Sequence, residues 1–264
     1  MLPLQLLNEM KMKLTFLGTG TSQGVPIIGC NCEVCESNNP KDKRLRTSAF
    51  LEVDNNCLLI DPGPDLRQQL LRQKITHIDA ILVTHEHKDH LGGLDDIRPI
   101  NFLMNKPMNL YGLKRVMKII EKDYDYAFKT FKYPGVPNLI LNPVFEEPFF
   151  INSTQITPIS VKHLALPILG YRIYDFAYIT DASFISDKEK RKLQNLDLLV
   201  LNALRIKEHY SHFNLAQALQ LIEELAPARA YLTHISHELG NHETVSTQLP
   251  ENVFLGYDGL EIQI

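Results

Sequence analysis

The sequence predicts a mixed α/β fold, and three observations predict it. Short apolar runs of strand composition recur along the 264 residues, and stretches with helical periodicity fall between them. No internal repeat, low-complexity tract or Gly/Ser-rich linker divides the chain, so a single domain over residues 1–264 is the simplest account. The composition is that of an ordinary globular protein, 44% hydrophobic and 22% charged with a net charge of −4. That balance argues against a surface built to bind nucleic acid.

The expected strands are Lys13–Leu17, Ala49–Val53, Cys57–Ile60, Ala80–Val83, Ile156–Val161, Gly170–Ile173, Phe176–Ile179, Leu198–Leu201 and Ala230–Leu232, each rich in branched and aromatic residues. Three stretches carry helical spacing instead. Asp65–Gln73 aligns Leu66, Leu70 and Leu71, Leu113–Lys122 aligns Leu113, Val116, Met117 and Ile120, and Leu215–Leu225 aligns Leu215, Ala218, Leu219 and Ile222 before Pro227 ends it. No apolar run reaches the roughly 18–20 residues that span a bilayer. Residues 1–12 lack a basic start and a small-residue cleavage site and read as an extension rather than a signal peptide, so a cytoplasmic location is expected. Residues 123–148 differ from the rest. Tyr124, Tyr126, Phe128, Phe131 and Tyr133 interleave with Lys129 and Lys132. This pattern suits either an edge hairpin or homodimer contact, or a lid that stacks a ring beside phosphate-attracting lysines.

Thr84-His85-Glu86-His87-Lys88-Asp89-His90 follows the apolar run Ile81-Leu82-Val83. Three imidazoles and a carboxylate released at a strand end converge on one point, and those are the ligands that zinc and similar divalent metals prefer. Gly92 and Gly93 are expected to let the backbone turn beneath the cluster. Four more residues of metal-binding type each cap an apolar strand: Asp61, His163, Asp181 and His234. Together they suit one site at one edge of a sheet.

This ordered set, with Asp181 in Tyr178-Ile179-Thr180-Asp181-Ala182 and His234 in Leu232-Thr233-His234, resembles the metallo-β-lactamase-fold hydrolases over nearly the whole chain. The resemblance implies an αββα four-layer sandwich with a dinuclear site at one edge. It implies His85, His87 and His163 on the first metal, Asp89, His90 and His234 on the second, Asp181 bridging them, and Asp61 orienting ligands from behind. Two metals about 3.5–4 Å apart hold an attacking hydroxide and polarise a phosphoryl oxygen. The lactamases themselves typically place a cysteine where Asp181 stands, so antibiotic hydrolysis is not expected. Zinc is the expected metal, with manganese the alternative that two aspartates suit.

Cys30, Cys32 and Cys35 cluster, whereas Cys57 stands alone in a strand and reads as a small buried hydrophobe. Three thiolates fall one short of a tetrahedral zinc, and His237, three residues after His234, is the expected fourth ligand of a structural zinc. The Gly18-Thr19-Gly20-Thr21-Ser22 opening lacks the Gly-Lys-Ser/Thr ending of a phosphate loop. Its glycines are expected to let the chain pass close under the site. Opening, cysteine triplet and second histidine together resemble the family of the phosphoribosyl 1,2-cyclic phosphate phosphodiesterases of bacterial phosphonate degradation. That resemblance implies hydrolysis of a small cyclic or diester phosphate, with Asp89 and His212 as catalytic residues. His212, just before the Leu215–Leu225 helix, would protonate the leaving oxygen; His209 is the second candidate for that acid, and Asn214 is the expected helix cap. His77 and His242 read as surface residues. Two other functions remain in view: tRNA 3′-processing by a ribonuclease Z-like enzyme, against which the acidic balance and the cysteine triplet argue, and a non-catalytic metal-binding protein on the same fold. The expected partner is a small phosphodiester, with neither nucleic acid nor membrane.

Overall fold

The computed structural model describes residues 12–131 and 133–264. The expected extension lies outside the described residues except for Met12, which is buried and whose carbonyl accepts from the Ile264 N–H at 2.9 Å. The chain begins with β1 (Lys13–Gly18), a short helix α1 (Glu33–Glu36), β2 (Ser48–Val53) and β3 (Asn56–Ile60). Then come α2 (Leu66–Gln73), β4 (Ala80–Leu82), α3 (Lys88–Leu91), α4 (Arg98–Met104), β5 (Met108–Leu113), α5 (Lys114–Asp123) and β6 (Leu139–Val144). A second half follows: β7 (Phe149–Ile151), β8 (Thr154–His163), β9 (Leu166–Ile173), β10 (Phe176–Ile179), β11 (Phe184–Ile185), α6 (Asp187–Arg191) and β12 (Leu198–Asn202). It closes with α7 (Leu215–Leu225), β13 (Arg229–Thr233), α8 (His242–Ser246), β14 (Val253–Leu255) and β15 (Glu261–Gln263).

These strands form two sheets of matching plan. The first runs β15-β1-β2-β3-β4-β5-β6, antiparallel as far as β3 and parallel beyond it. The second runs β11-β8-β9-β10-β12-β13-β14, with β7 beside β8, and changes from antiparallel to parallel after β10. Leu14, Phe16, Leu51, Leu58, Ile60 and Leu82 of the first sheet meet Ile156, Leu169, Tyr171, Phe176, Tyr178 and Val200 of the second in one buried layer. The outer face of the first sheet, including Phe50, Leu59 and Ile81, is covered by Leu66 and Leu70 of α2 and Val116, Met117 and Ile120 of α5. The outer face of the second packs Ile179, Leu199 and Leu201 against Ala218, Leu221, Ile222 and Leu225 of α7. Helix, sheet, sheet, helix is the expected αββα sandwich. Because both faces of the central strands are covered, β10 and β12 are buried at every residue.

All nine expected strands and all three helices are present with ends shifted by a few residues. Helix α7 is fixed by a reciprocal cap: Asn214 Oδ1 accepts from the Gln217 N–H at 2.9 Å, and Gln217 Oε1 accepts from the Asn214 N–H at 3.0 Å. In α2 the core face differs from expectation. Leu71 is exposed, and the buried Gln69 turns inward to donate to the Arg46 carbonyl at 2.9 Å. His242 is a second correction, being buried beside Arg44 rather than on the surface, whereas His77 is exposed. Cys57 is half-buried.

The stretch 123–148 is not a hairpin. Tyr124, Tyr126 and Phe128 turn inward onto the outer layer of the first sheet, with the Tyr124 hydroxyl donating to the Leu91 carbonyl at 2.9 Å and Tyr126 to Asp95 at 2.6 Å. Phe131 and Tyr133 face solvent, and the chain returns as β6, an edge strand parallel to β5. Lys132 lies outside the described residues.

Gly92 and Gly93 serve close approach rather than unusual backbone, since their φ angles are −63° and −101°. A Cβ on Gly93 would stand 1.9 Å from the Gly63 carbonyl oxygen, where the metal-type loop presses on the loop after β3. Gly93→Ala should therefore cost about 1–3 kcal/mol through overpacking. The measurement is a urea unfolding midpoint, and an unchanged midpoint would show that the two loops are free to separate.

Candidate metal centre

The strand ends of both sheets meet at one edge of the sandwich, and each delivers a polar side chain there. Asp61 follows β3, His85 to His90 follow β4, His163 ends β8, Asp181 follows β10 and His234 follows β13. Asp61, Asp181 and His234 all adopt positive φ, at 59°, 58° and 55°. Left-handed backbone is uncommon in residues other than glycine and costs of order 1–3 kcal/mol per site. Here it ends each strand abruptly and swings the next side chain across the sheet edge.

Asp61 is fully buried and organises the histidine loop. Its Oδ1 accepts the Thr84 N–H at 2.8 Å, and its Oδ2 accepts the Thr84 hydroxyl at 2.7 Å. His90 Nδ1 lies 2.7 Å from the same Oδ2 and donates to it. Since the single hydroxyl proton of Thr84 goes to Asp61, the His85 Nδ1 found 3.0 Å from that hydroxyl must be the donor. One carboxylate thus fixes the tautomers of two imidazoles, one directly and one through Thr84, and leaves both Nε2 lone pairs facing the centre. His163 is fixed in the same sense by its Nδ1–H, which donates to the Asp181 carbonyl at 2.9 Å.

Around the centre, ring centroids of His85, His87 and His163 lie 4.6, 5.1 and 5.7 Å apart. One ligand atom each from Asp89, His90, Asp181 and His234 lies within 4.8 Å of every other, and the same holds for His163, Asp181 and His212. Asp181 is the shared member. Its Oδ1 is 2.9 Å from His212 Nε2 and 3.2 Å from His234 Nε2, and its Oδ2 is 3.2 Å from His90 Nε2. The Thr180 hydroxyl donates to Oδ2 at 2.6 Å.

Burial and charge pull these groups in opposite directions. Burial drives the imidazoles of His85 and His163 toward the neutral form and lowers His234 to about 4. Burial also opposes charge on Asp181, but His234, His90 and His212 outweigh it and hold the carboxyl well below its usual range. Among the described residues, His85 Nε2, His90 Nε2 and His234 Nδ1 are buried without a hydrogen-bond partner. His90 is held the other way, against burial and toward the charged form, by Asp181, Asp89 and Asp61. Buried imidazole nitrogens without a hydrogen-bond partner, beside carboxylates, are a donor set suited to divalent metals.

A second cluster stands beside the first. His237 Nδ1 lies 3.3, 3.2 and 3.6 Å from the sulfurs of Cys30, Cys32 and Cys35, three thiols around one imidazole nitrogen. The Cys35 N–H and His237 bring the Cys32 thiol down to about 6, while burial pushes Cys35 up to about 11. The glycine-rich segment laces onto this region: Thr21 N–H donates to the Ile235 carbonyl at 3.0 Å, and Ile235 N–H donates to the Thr19 carbonyl at 2.8 Å. A Cβ on Gly18 would fall 2.0 Å from the Arg46 carbonyl oxygen, so the chain does pass closely there.

Every site residue expected from the sequence is therefore found at this edge. Thr84, Thr180 and Ser211 were not singled out. Their signal was proximity, since each directly precedes a site residue, His85, Asp181 or His212.

The Beta-lactamase superfamily domain model matches residues 56–235, which take in Asp61 and every ligand candidate of the central site through His234. The chain belongs to the beta-lactamase superfamily. A solved diphosphatase of the PhnP family is 39% identical and superposes with a TM-score of 0.91, covering 97% of this chain and 98% of that one, so the chain is also a PhnP-family member. A curated octanoyltransferase of Porphyromonas gingivalis is 41% identical over 253 residues, 95% of this chain but 51% of its own length. A ribonuclease Z of Methanococcus maripaludis is 29% identical over 164 residues, 61% of this chain and 48% of that protein. The chain spans about half the length of these curated relatives. The fold family implies divalent metals at the histidine–aspartate cluster. Among the described residues no helix is long and apolar enough to cross a membrane.

Asp61→Asn keeps the shape but weakens the hold on His90 and Thr84. Metal affinity should fall about 10–100-fold, read by chelator competition on the purified protein. Unchanged affinity would mean that the histidine loop holds its own geometry.

Proposed function

We propose that the chain is a phosphodiesterase that hydrolyses a small cyclic or diester phosphate. One observation carries the reading: Asp181 sits between the two sets of metal-type side chains and also holds His212 Nε2 at 2.9 Å, so a proton donor stands beside the centre. In this reading His85, His87, His163, Asp89, His90, Asp181 and His234 would hold a pair of divalent metals. Zinc suits the imidazoles, and manganese suits the carboxylates. When bound, the pair polarises a phosphoryl oxygen and acidifies the attacking water.

The chain's own residues supply the rest. Asp61 and Thr84 keep His85 and His90 in their metal-facing tautomers. The carbonyl of Asp181 does the same for His163. As water adds to phosphorus and the ester P–O bond breaks, the leaving oxygen takes a proton from His212 Nε2, and the proton that the attacking water loses passes to solvent, from which His212 is reprotonated. Ser211 Oγ lies 3.0 Å from His212 Nδ1 and steadies the ring from its other side. Cys30, Cys32, Cys35 and His237 form a four-donor set for a structural zinc, which would tie the loop after β1 to the turn after β13. The location is proposed to be cytoplasmic, in keeping with a thiol-rich zinc site.

A second reading is cleavage of a phosphoanhydride, favoured by the likeness to the 39%-identical diphosphatase. Octanoyl transfer is not adopted, because the residues facing the centre are imidazoles and carboxylates with no thiol among the described ones.

The two phosphate chemistries separate by assay of metal-loaded protein on bis(p-nitrophenyl) phosphate and on inorganic pyrophosphate. Turnover of the diester alone is expected; turnover of pyrophosphate alone would replace the first reading by the second. His212→Ala should lower diester turnover about 10²–10⁴-fold with bound metal unchanged, and normal turnover would remove His212 from the mechanism. Cys32→Ser should lower both zinc content and the unfolding temperature. A variant with the wild-type values of both would dismiss the structural zinc.

A further inference from the structure

A row of rings connects His87 of the metal centre, which is exposed, to Tyr210, which is exposed as well. Centroid steps run from His87 to His163 at 5.1 Å, from His163 to His212 at 4.6 Å, from His212 to His209 at 5.1 Å and from His209 to Tyr210 at 4.4 Å. The last step is a stacked pair with only 27° between ring planes, and Tyr210 at its end is 74% exposed. An aromatic side chain left open to water on a wandering loop would mean little. This loop does not wander. Arg205 donates to the carbonyls of Lys207 at 3.2 Å and Glu208 at 2.9 Å and pairs with Glu238 at 2.7 Å. Asn214, the cap of α7, donates to the Ile206 carbonyl at 3.2 Å, and the Leu215 N–H donates to the Arg205 carbonyl at 2.9 Å. The buried Ser211 lies 3.2 Å from His209 Nδ1 and 3.0 Å from His212 Nδ1. His209, the inner support of Tyr210, is thereby fixed relative to the proposed proton donor.

We propose that Tyr210, backed by His209, is a stacking platform for a planar ring carried by the substrate. The inference rests on the phosphodiesterase reading above and adds the part of the substrate beyond the phosphate. The site then has two functions. The metal centre handles the phosphate, and Tyr210 binds the ring. Stacking on an aromatic face is tolerant of ring identity, because every base presents a π-face. Selectivity is therefore expected between substrates with and without a ring rather than among bases.

The test compares adenosine 2′,3′-cyclic phosphate with methyl riboside 2′,3′-cyclic phosphate, which share the scissile bonds and differ in the base. Wild-type enzyme should show a lower KM for the adenosine compound. Tyr210→Ala should raise that KM about tenfold or more with little change in kcat, and leave the methyl riboside compound untouched. Tyr210→Phe should behave as wild type, since it keeps the ring face. Equal effects of Tyr210→Ala on both compounds, or none on either, would overturn the platform. Calorimetric binding of the adenosine compound to metal-loaded protein separates the two layers of the argument. Binding that weakens in Tyr210→Ala without turnover would keep the platform and reject the phosphodiesterase reading, and binding indifferent to Tyr210 would reject the platform even where turnover is found.

Discussion

The buried carboxylate of Asp61 is the constraint on which the rest of the centre depends. Burial pushes its pKa up, and it is balanced by the Thr84 N–H, the Thr84 hydroxyl and His90. A buried acceptor of this kind is costly unless each lone pair is used. Using them forces a single arrangement of the loop after β4. The direction of two imidazoles follows from that arrangement, because a histidine that donates through Nδ1 has only Nε2 left to offer. The geometry at the centre is thus decided by a residue that does not face it.

The same logic explains the backbone. Residues with left-handed φ at the ends of β3, β10 and β13 are held by hydrogen bonds and packing around them, not by local preference. Strands of both sheets end at one edge, and the short parallel strands β4 and β13 stop where Thr84 and His234 must leave the sheet. The fold provides rigid anchors, and the turns beyond them provide reach.

Much of this was legible in the sequence. Alternating short apolar runs mark the strands that carry the site, and polar residues capping those runs mark the ligand candidates. Elements with weaker patterns were not legible. Strand β6 contains Asn142 and Pro143 and is stabilised by pairing with β5 at the sheet edge, so its own composition is a poor guide. Helix α4 carries Phe102 and Leu103 on its exposed side and shows no clean polar face. Tertiary context also reversed two single residues. Gln69 is buried because the Arg46 carbonyl accepts its amide, and His242 is buried because Arg44 and Asp42 meet it inside the fold. Hydrogen-bond partners distant in sequence have no periodic signature.

Because its side chains come from both sheets, the centre sits on the seam of the sandwich rather than within either layer. The core between the layers is apolar and sets no direction along the sheet plane, so sliding of one sheet over the other is opposed there by shape alone. The converging carboxylates and imidazoles add a directional restraint at the edge. Their separations change with any slip, and the centre thereby acts as a gauge of sheet alignment: a core substitution far from the edge that shifts one layer is felt there as a change in spacing.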